Sequence, residues 1–191
     1  MDIVSEKKIL RQRIKEKIKS LTVDERRRQS EGIYKNLTDH PVWKESRKIL
    51  LYASMDFEVD TWALIKKGLQ EEKTIGLPFY IEVCDIYKPR IIRDINKDLR
   101  IGKLGIKEPN ENCMEMPVGE FDLIIVPGLA FSMNGYRLGR GKGYYDKLLA
   151  QATGKKCGIC FECQIVDELP VENHDVKMNY VITPSLIMEF K

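Results

Sequence analysis

The chain has 191 residues, 43% of them hydrophobic, and sets 32 Lys and Arg against 29 Asp and Glu for a formal charge of +3. That length predicts a single domain over residues 1–191 with a substantial core, and so small a net charge argues against a nucleic-acid coat protein. The basic excess is local, at 7–28 and 137–142, while the absence of a long apolar run or an apolar signal core predicts a cytoplasmic protein without a membrane partner. Five cysteines, an odd number, fit reduced thiols better than a disulfide framework.

Leu10, Ile14, Ile18 and Leu21 recur at helical spacing and predict a helix over 5–20, with its basic residues mostly on other faces. Thr22-x-x-Glu25 reads as a capping box that opens a second helix through Leu37, ended before Pro41, so the chain begins with a basic helical hairpin. Lys7 and Arg11 stand at i and i+4 and share a face. They are either a solvated helix surface or a point charge and a planar fork aimed at one anion.

Lys48 to Ser54 is almost continuously apolar, the pattern of a strand covered on both faces. Met55 to Thr61 follows as a loop, Asp60 or Thr61 can cap a helix through Leu69, and Thr74 to Pro78 is the next strand. A strand, helix, strand unit of this kind implies a right-handed crossover in a parallel sheet. Ligand sites gather at the carboxyl ends of such strands, where Met55, Glu58 and Asp60 fall; the competing reading makes the two acids ordinary loop and capping residues. Residues 81–120 suggest a hairpin or two short strands and then polar loops, with Gly102 to Pro109 a surface loop carrying no chemistry of its own.

Leu123 to Val126 reads as a buried strand that stops at Pro127-Gly128. After it, Gly135, Gly139, Gly141 and Gly143 are interleaved with Arg137, Arg140 and Lys142, ahead of a helix over 144–150. Glycines let backbone N–H groups close on an anion, and the bases and the helix start add positive potential, so the loop reads as a phosphate cradle. Its spacing is that of neither a P-loop nor a dinucleotide loop, because Tyr136 precedes Gly141 by five, Gly143 follows Lys142, and no third glycine comes at 144 or 146. A tight solvated turn is the plainer alternative.

Cys157, Cys160 and Cys163 imitate part of a metal site, but 156–161 reads as a strand whose alternation turns Cys157 and Cys160 to opposite faces, as small apolar residues. A last core strand is predicted over 180–183.

The segments Pro127-Gly-Leu-Ala-Phe131 and Gly135-Tyr-Arg-Leu-Gly-Arg-Gly-Lys-Gly-Tyr-Tyr-Asp146 resemble the signature of the 5-formyltetrahydrofolate cyclo-ligase family. Ser5-x-Lys7-x-x-x-Arg11, Ser54-Met55-x-x-Glu58-x-Asp60-Thr61 and the His174-Asp175 step after Pro170 resemble further segments of it, although Asn179 stands where the family usually has Asp. The resemblance implies an α/β fold, a three-layer α/β/α domain around a mostly parallel sheet. It implies ATP- and Mg²⁺-dependent cyclisation of 5-formyltetrahydrofolate to 5,10-methenyltetrahydrofolate, with release of ADP and phosphate.

On that resemblance, Lys7, Lys8, Arg11 and the run Arg137, Leu138, Gly139, Arg140, Gly141, Lys142, Gly143, Tyr144 and Tyr145 bind ATP, with Arg140 and Lys142 at the transferring phosphoryl group. Met55, Glu58, Asp60 and Tyr145 hold the folate, Asp146 and Asp175 take Mg²⁺, and His174 stays outside the catalytic set. The expected partners are the two small substrates, acting on a monomer. The alternatives are a nucleotide- or folate-binding protein without turnover and, less in keeping with the charge, a nucleic-acid binder using the basic hairpin.

Overall fold

The structure, a computed structural model, describes residues 2–103, 105–173 and 175–190. The basic hairpin forms, with its first helix starting two residues before the expected 5 and its second opened by the predicted capping box. Asp2 accepts from the backbone of Ser5 to open α1 (Ile3–Ser20), and the reciprocal Thr22 and Glu25 bonds open α2 (Val23–Asp39). The helix stops at His40, and Pro41, whose missing N–H costs nothing at a helix start, opens the short α3 (Pro41–Glu45).

The strand predicted over 48–54 is shorter than its apolar run: β1 is Lys48–Leu50. Leu51 still donates to Gly76 O, but the chain then leaves the sheet and is tied by Thr61, which is fully buried. The Thr61 hydroxyl donates to Tyr52 O and accepts from Ser54 N, so it closes the loop, while Asp60 caps α4 (Trp62–Gln70) by accepting from Trp62 N at 2.8 Å. The strand expected over 74–78 extends to β2 (Thr74–Ile81), which forms an antiparallel hairpin with β3 (Ile86–Ile92).

Next come the paired β4 (Leu99–Ile101) and β5 (Lys107–Pro109), then β6 (Leu123–Val126) as predicted. A hairpin not foreseen from the sequence, β7 (Ala130–Ser132) and β8 (Arg137–Leu138), separates β6 from the glycine loop. It removes Gly135 from the cradle: that residue turns the hairpin at φ +89°, and a Cβ there would lie 2.8 Å from the Phe190 ring. After α5 (Tyr144–Leu149) come β9 (Lys155–Ile159), β10 (Ile165–Val166), β11 (Tyr180–Ile182) and β12 (Ile187–Glu189). The expected last strand is thus next to last, since β12 folds back on it antiparallel through Thr183 and Leu186.

The main sheet runs β12-β11-β9-β6-β1-β2-β3, with five parallel strands between two antiparallel edges. Alternation along the strands feeds two cores. Ile49, Ile75, Leu123, Ile125 and Cys157 face Ile14 and Ile18 of α1, Ile33 and Leu37 of α2, and Leu64 and Ile65 of α4. Leu50, Ile124, Val126 and Val181 face Leu148 and Leu149 of α5. The result is the three-layer α/β arrangement, and Cys157 and Cys160 do go to opposite cores. No helix among the described residues is long and apolar enough to cross a membrane.

Candidate active site

β1 and β6 are adjacent and parallel, and the order of the sheet reverses between them: the chain moves from β1 to β2 on one side and from β6 to β9 on the other. The loops after the two strands must therefore diverge above the sheet, leaving a crevice at their carboxyl ends. Residues 51–61 form one wall, and the segment from Pro127 through the glycine loop to α5 forms the other.

The glycine loop supplies the cationic wall. Gly141 at φ +99° and Gly143 at φ +71° hold backbone conformations that side-chain-bearing residues rarely adopt, which accounts for glycine at both. Arg11 reaches the loop from α1, its Nε donating to Gly139 O at 3.0 Å, and its guanidinium carbon lies 3.5 Å from where a Cβ on Gly141 would be. The Arg137 side chain is only 5% exposed, donates to Pro127 O at 3.2 Å and pairs with Asp146. Lys142 is exposed, with its ammonium 5.8 Å from the Tyr144 ring centre, whereas the Leu138 side chain is buried in the core and leaves only backbone for a ligand. Arg137, Gly139, Lys142, Gly143 and Tyr144 bound a cavity of about 320 Å³ that also includes Arg140, Tyr145 and Asp146.

A second cavity, about 110 Å³, continues the first and shares Met55, Tyr87, Pro127, Arg140 and Tyr145 with it. Glu58 enters here: Oε1 accepts from Arg140 Nη2 at 2.6 Å and Oε2 from Met55 N at 2.9 Å, so one carboxylate joins the two walls. Asp60, by contrast, is engaged as the α4 cap and lines a separate groove against α2. Met55 is partly exposed and belongs to all three spaces.

Among the residues lining the crevice, Tyr145 is left unsatisfied by the protein. Its hydroxyl is buried without a hydrogen-bond partner, and burial, reinforced by Glu58, pushes its pKa well above the usual phenol value, so it stays a neutral donor. Tyr144 instead donates to Asp85 at 2.7 Å, as does Tyr80 at 2.8 Å, and the Asp85 bond raises the Tyr144 pKa. This bond ties the β2–β3 turn to the start of α5 and sets Tyr87 between Tyr144 and Tyr145 at ring distances of 5.1 and 6.2 Å.

The remaining expected residues are arranged differently. Lys7 is 8% exposed and donates to both Glu172 and Asp175 at 2.8 Å; burial lowers its pKa, but the bonds from Asp175 and Glu172 outweigh this and raise it. The face shared with Arg11 is thus used, Arg11 for the loop and Lys7 for Glu172 and Asp175, while Lys8 is exposed. Asn179 accepts from Lys156 N at 2.9 Å, at the amino end of the parallel strands and away from the crevice. His174 lies outside the described residues.

No group of three His, Cys, Asp or Glu that could hold a metal is found among the described residues. Asp146 is the carboxylate at the glycine-loop end of the cavity. Mg²⁺ keeps waters and phosphate oxygens and takes only one or two carboxylates, so Asp146 fits a cation that arrives on a nucleotide.

Sequence reasoning missed Tyr52, Tyr87, Ile106 and Glu108, all of which line the crevice. For 106–108 a signal existed in Gly105-Ile-Lys-Glu-Pro109, but nothing in it announces that β5 folds back under the site.

Residues 3–184 match the family model described as the 5-formyltetrahydrofolate cyclo-ligase family. A mouse 5-formyltetrahydrofolate cyclo-ligase is 30% identical over 93% of each chain, and a probable one from Schizosaccharomyces pombe is 34% identical over 84% of this chain and 86% of its own. The solved Aquifex aeolicus 5,10-methenyltetrahydrofolate synthetase is similar at a TM-score of 0.88 with 34% identity, covering 97% of this chain and 93% of that one. A Mycoplasma pneumoniae structure at 24% identity repeats the fold at a TM-score of 0.73 over 93% and 98%. By this match, which takes in both walls of the crevice, the chain belongs to the 5-formyltetrahydrofolate cyclo-ligase family.

Proposed function

We propose that the chain converts 5-formyltetrahydrofolate to 5,10-methenyltetrahydrofolate at the expense of ATP, the co-substrate of its family, in the crevice between the two loops. The observation that carries this reading is that one continuous space has a basic glycine loop at one end and acids with aromatic rings at the other, joined by Glu58 and Arg140. Phosphate chemistry and a pterin need those two environments side by side.

The chemical difficulty is the leaving group, since N10 cannot expel an oxygen as hydroxide from an N-formyl carbon at neutral pH. The formyl oxygen attacks the γ-phosphorus of ATP, the bond to ADP breaks, and N5 supplies electrons to leave an N5-iminium carbon bearing O-phosphate. N10 then bonds to that carbon, the C–O bond breaks with release of inorganic phosphate, and the N10 proton is lost. Ring closure is intramolecular, where good orientation is worth effective molarities of about 10⁵–10⁸ M, so the protein needs no covalent nucleophile.

In this reading the backbone N–H groups of Gly139 to Gly143, with Arg140 and Lys142, hold the transferring phosphoryl group, and Arg11 with Arg137 keeps the loop in shape. Tyr145 donates its spare hydroxyl to a ligand oxygen and remains protonated, and Met55, Glu58 and Tyr87 flank the pterin. Lys7 serves the nucleotide end, and Asp146 with Asp175 would hold Mg²⁺, which when bound supplies charge neutralisation on the phosphates. The enzyme acts as a cytoplasmic monomer, one domain over 1–191, on small-molecule substrates alone.

The experiment is the appearance of the methenyl chromophore from 5-formyltetrahydrofolate with ATP and Mg²⁺. Absorbance that grows only when all three are present, with phosphate released one for one, supports the reading. Tight binding of both substrates without absorbance change refutes turnover.

A further inference from the structure

The turn between β2 and β3 has no task in the roles above, yet one side chain binds it to the glycine-loop wall. Asp85 accepts from Tyr80 of its own hairpin at 2.8 Å and from Tyr144 of α5 at 2.7 Å, and both bonds end on the same oxygen, Oδ1. Its backbone stands at φ +50°, a left-handed conformation that Asp and Asn tolerate better than most side chains. Val83 at the tip of the turn is 96% exposed and anchors nothing, and the Glu82–Lys103 ion pair is solvent-exposed at both ends, where such pairs contribute little. The bonds to Asp85 push the pKa of both phenols up, so each stays a donor.

The residue held down by this contact is Tyr87. It follows Asp85 by two, sets its ring edge-on to Tyr80 at 5.9 Å, Tyr144 at 5.1 Å and Tyr145 at 6.2 Å, and lines both cavities of the crevice. Resting on the cyclo-ligase reading, we infer that Asp85 is a positioning residue that latches the β2–β3 hairpin to α5, so that Tyr87 roofs the crevice and bars water from the phosphoryl group in transfer. Arg11 and Arg137 hold the glycine loop by their own bonds, so loss of the latch frees the hairpin and not the loop. ATP then still binds, but its γ-phosphorus is open to a second acceptor. A water oxygen bonds to that phosphorus, the bond to ADP breaks, the water proton is released, and 5-formyltetrahydrofolate is left unchanged. The formyl oxygen is a weak nucleophile, and it outcompetes water only while it is held in place and water is kept out.

The test counts methenyl product by absorbance and inorganic phosphate in the same reaction, at saturating ATP and Mg²⁺. The intact protein is expected to release one phosphate per methenyl formed. In Asp85→Gly, which suits φ +50° but offers no acceptor, methenyl formation should fall about 10- to 100-fold and phosphate release much less, so that several phosphates appear per methenyl. Asp85→Asn keeps the Oδ1 that both tyrosines use and should keep the one-for-one ratio at a rate within about threefold of the parent. Tyr144→Phe breaks the same bond from α5 while keeping the ring, so it should show the excess of phosphate too, and it decides the matter should Asp85→Gly not fold. A one-for-one ratio in folded Asp85→Gly or in Tyr144→Phe, even with slow turnover, overturns the inference, and so does an excess of phosphate in Asp85→Asn. If the intact protein forms no methenyl product at all, it is the cyclo-ligase reading that falls.

Discussion

Arg140→Ala separates two jobs that one side chain could be doing. In the structure Arg140 touches Glu58 at 2.6 Å, so its removal could act through the folate loop, but it also stands on the glycine loop, where the phosphoryl group would be. The Arg140 side chain is 50% exposed, and an ion pair of that kind is worth only about 0–1 kcal/mol of stability. For a chain of this size that is a fall in Tm of at most about 4 °C. A lost donor to developing charge costs about 10²–10³ in rate, equivalent to about 2.7–4 kcal/mol, several times the folding effect. Steady-state absorbance assays at saturating ATP, with thermal unfolding alongside, should therefore give kcat down by about 10²–10³, KM for folate within about threefold, and a nearly parental Tm. Glu58→Gln, which releases Arg140 but keeps its charge, should instead raise KM and leave kcat within about tenfold. If Arg140→Ala keeps a near-parental kcat, or shifts only KM as Glu58→Gln does, the arginine merely anchors the loop and the phosphate assignment is wrong.

Lys7→Met removes the charge between Glu172 and Asp175 and should cost about 3 kcal/mol in urea unfolding at neutral pH. Because the folded Lys7 pKa is raised, that contribution is whole below about pH 10.4 and is lost as pH rises through the folded value; a stability gap to the parent that narrows between pH 6 and 9 would contradict the pairing. Met55→Ala should raise KM for 5-formyltetrahydrofolate with little change in kcat, and an equal loss of ATP affinity would count against a folate contact. Asp146→Asn should move the Mg²⁺ activation curve to about tenfold higher concentration and also lower Tm, since buried Arg137 loses its counter-charge; an unmoved curve removes Asp146 from the metal. In thiol titration of the native protein Cys84 should react first and Cys157 and Cys160 last, because burial raises both of their pKa values; early labelling of either would refute the packed-strand environment.

The sequence was most legible where local chemistry and tertiary structure agree. The capping box of α2, the apolar run of β6 and the alternation that separates Cys157 from Cys160 all appear as read, because each is governed by neighbours in the chain. What failed was long-range. Nothing near Lys7 or Asp175 indicates that they meet across 168 residues, nor that Asp60 is spent on a helix cap while Glu58 crosses the crevice to Arg140. The β7–β8 hairpin was hidden because Gly135 and Gly139 look alike in sequence, although one turns a hairpin against Phe190 and the other accepts from Arg11. Glu108 went unread because its neighbours resemble a surface turn, and only the return of β5 beneath the tyrosines gives the acid a buried address.

The Lys7 contact also bears on how the molecule is made. α1 leaves the ribosome before the groups it answers to: the acids that neutralise its buried lysine lie 165 and 168 residues downstream, and the loop its Arg11 grips lies 128 residues away. Ile14 and Ile18 can enter the core once β1, β2 and β6 exist, but until residues 172 and 175 are made Lys7 lacks its counter-ions. Synthesis moves at about 5–20 residues per second, so the helix waits on the order of ten seconds as a basic amphipathic segment in search of its partners. A nascent chain arrested before residue 172 would hold β1 to β10 and the glycine loop but neither β11 and β12 nor the lysine's counter-ions, and α1 would be the part most in need of a chaperone.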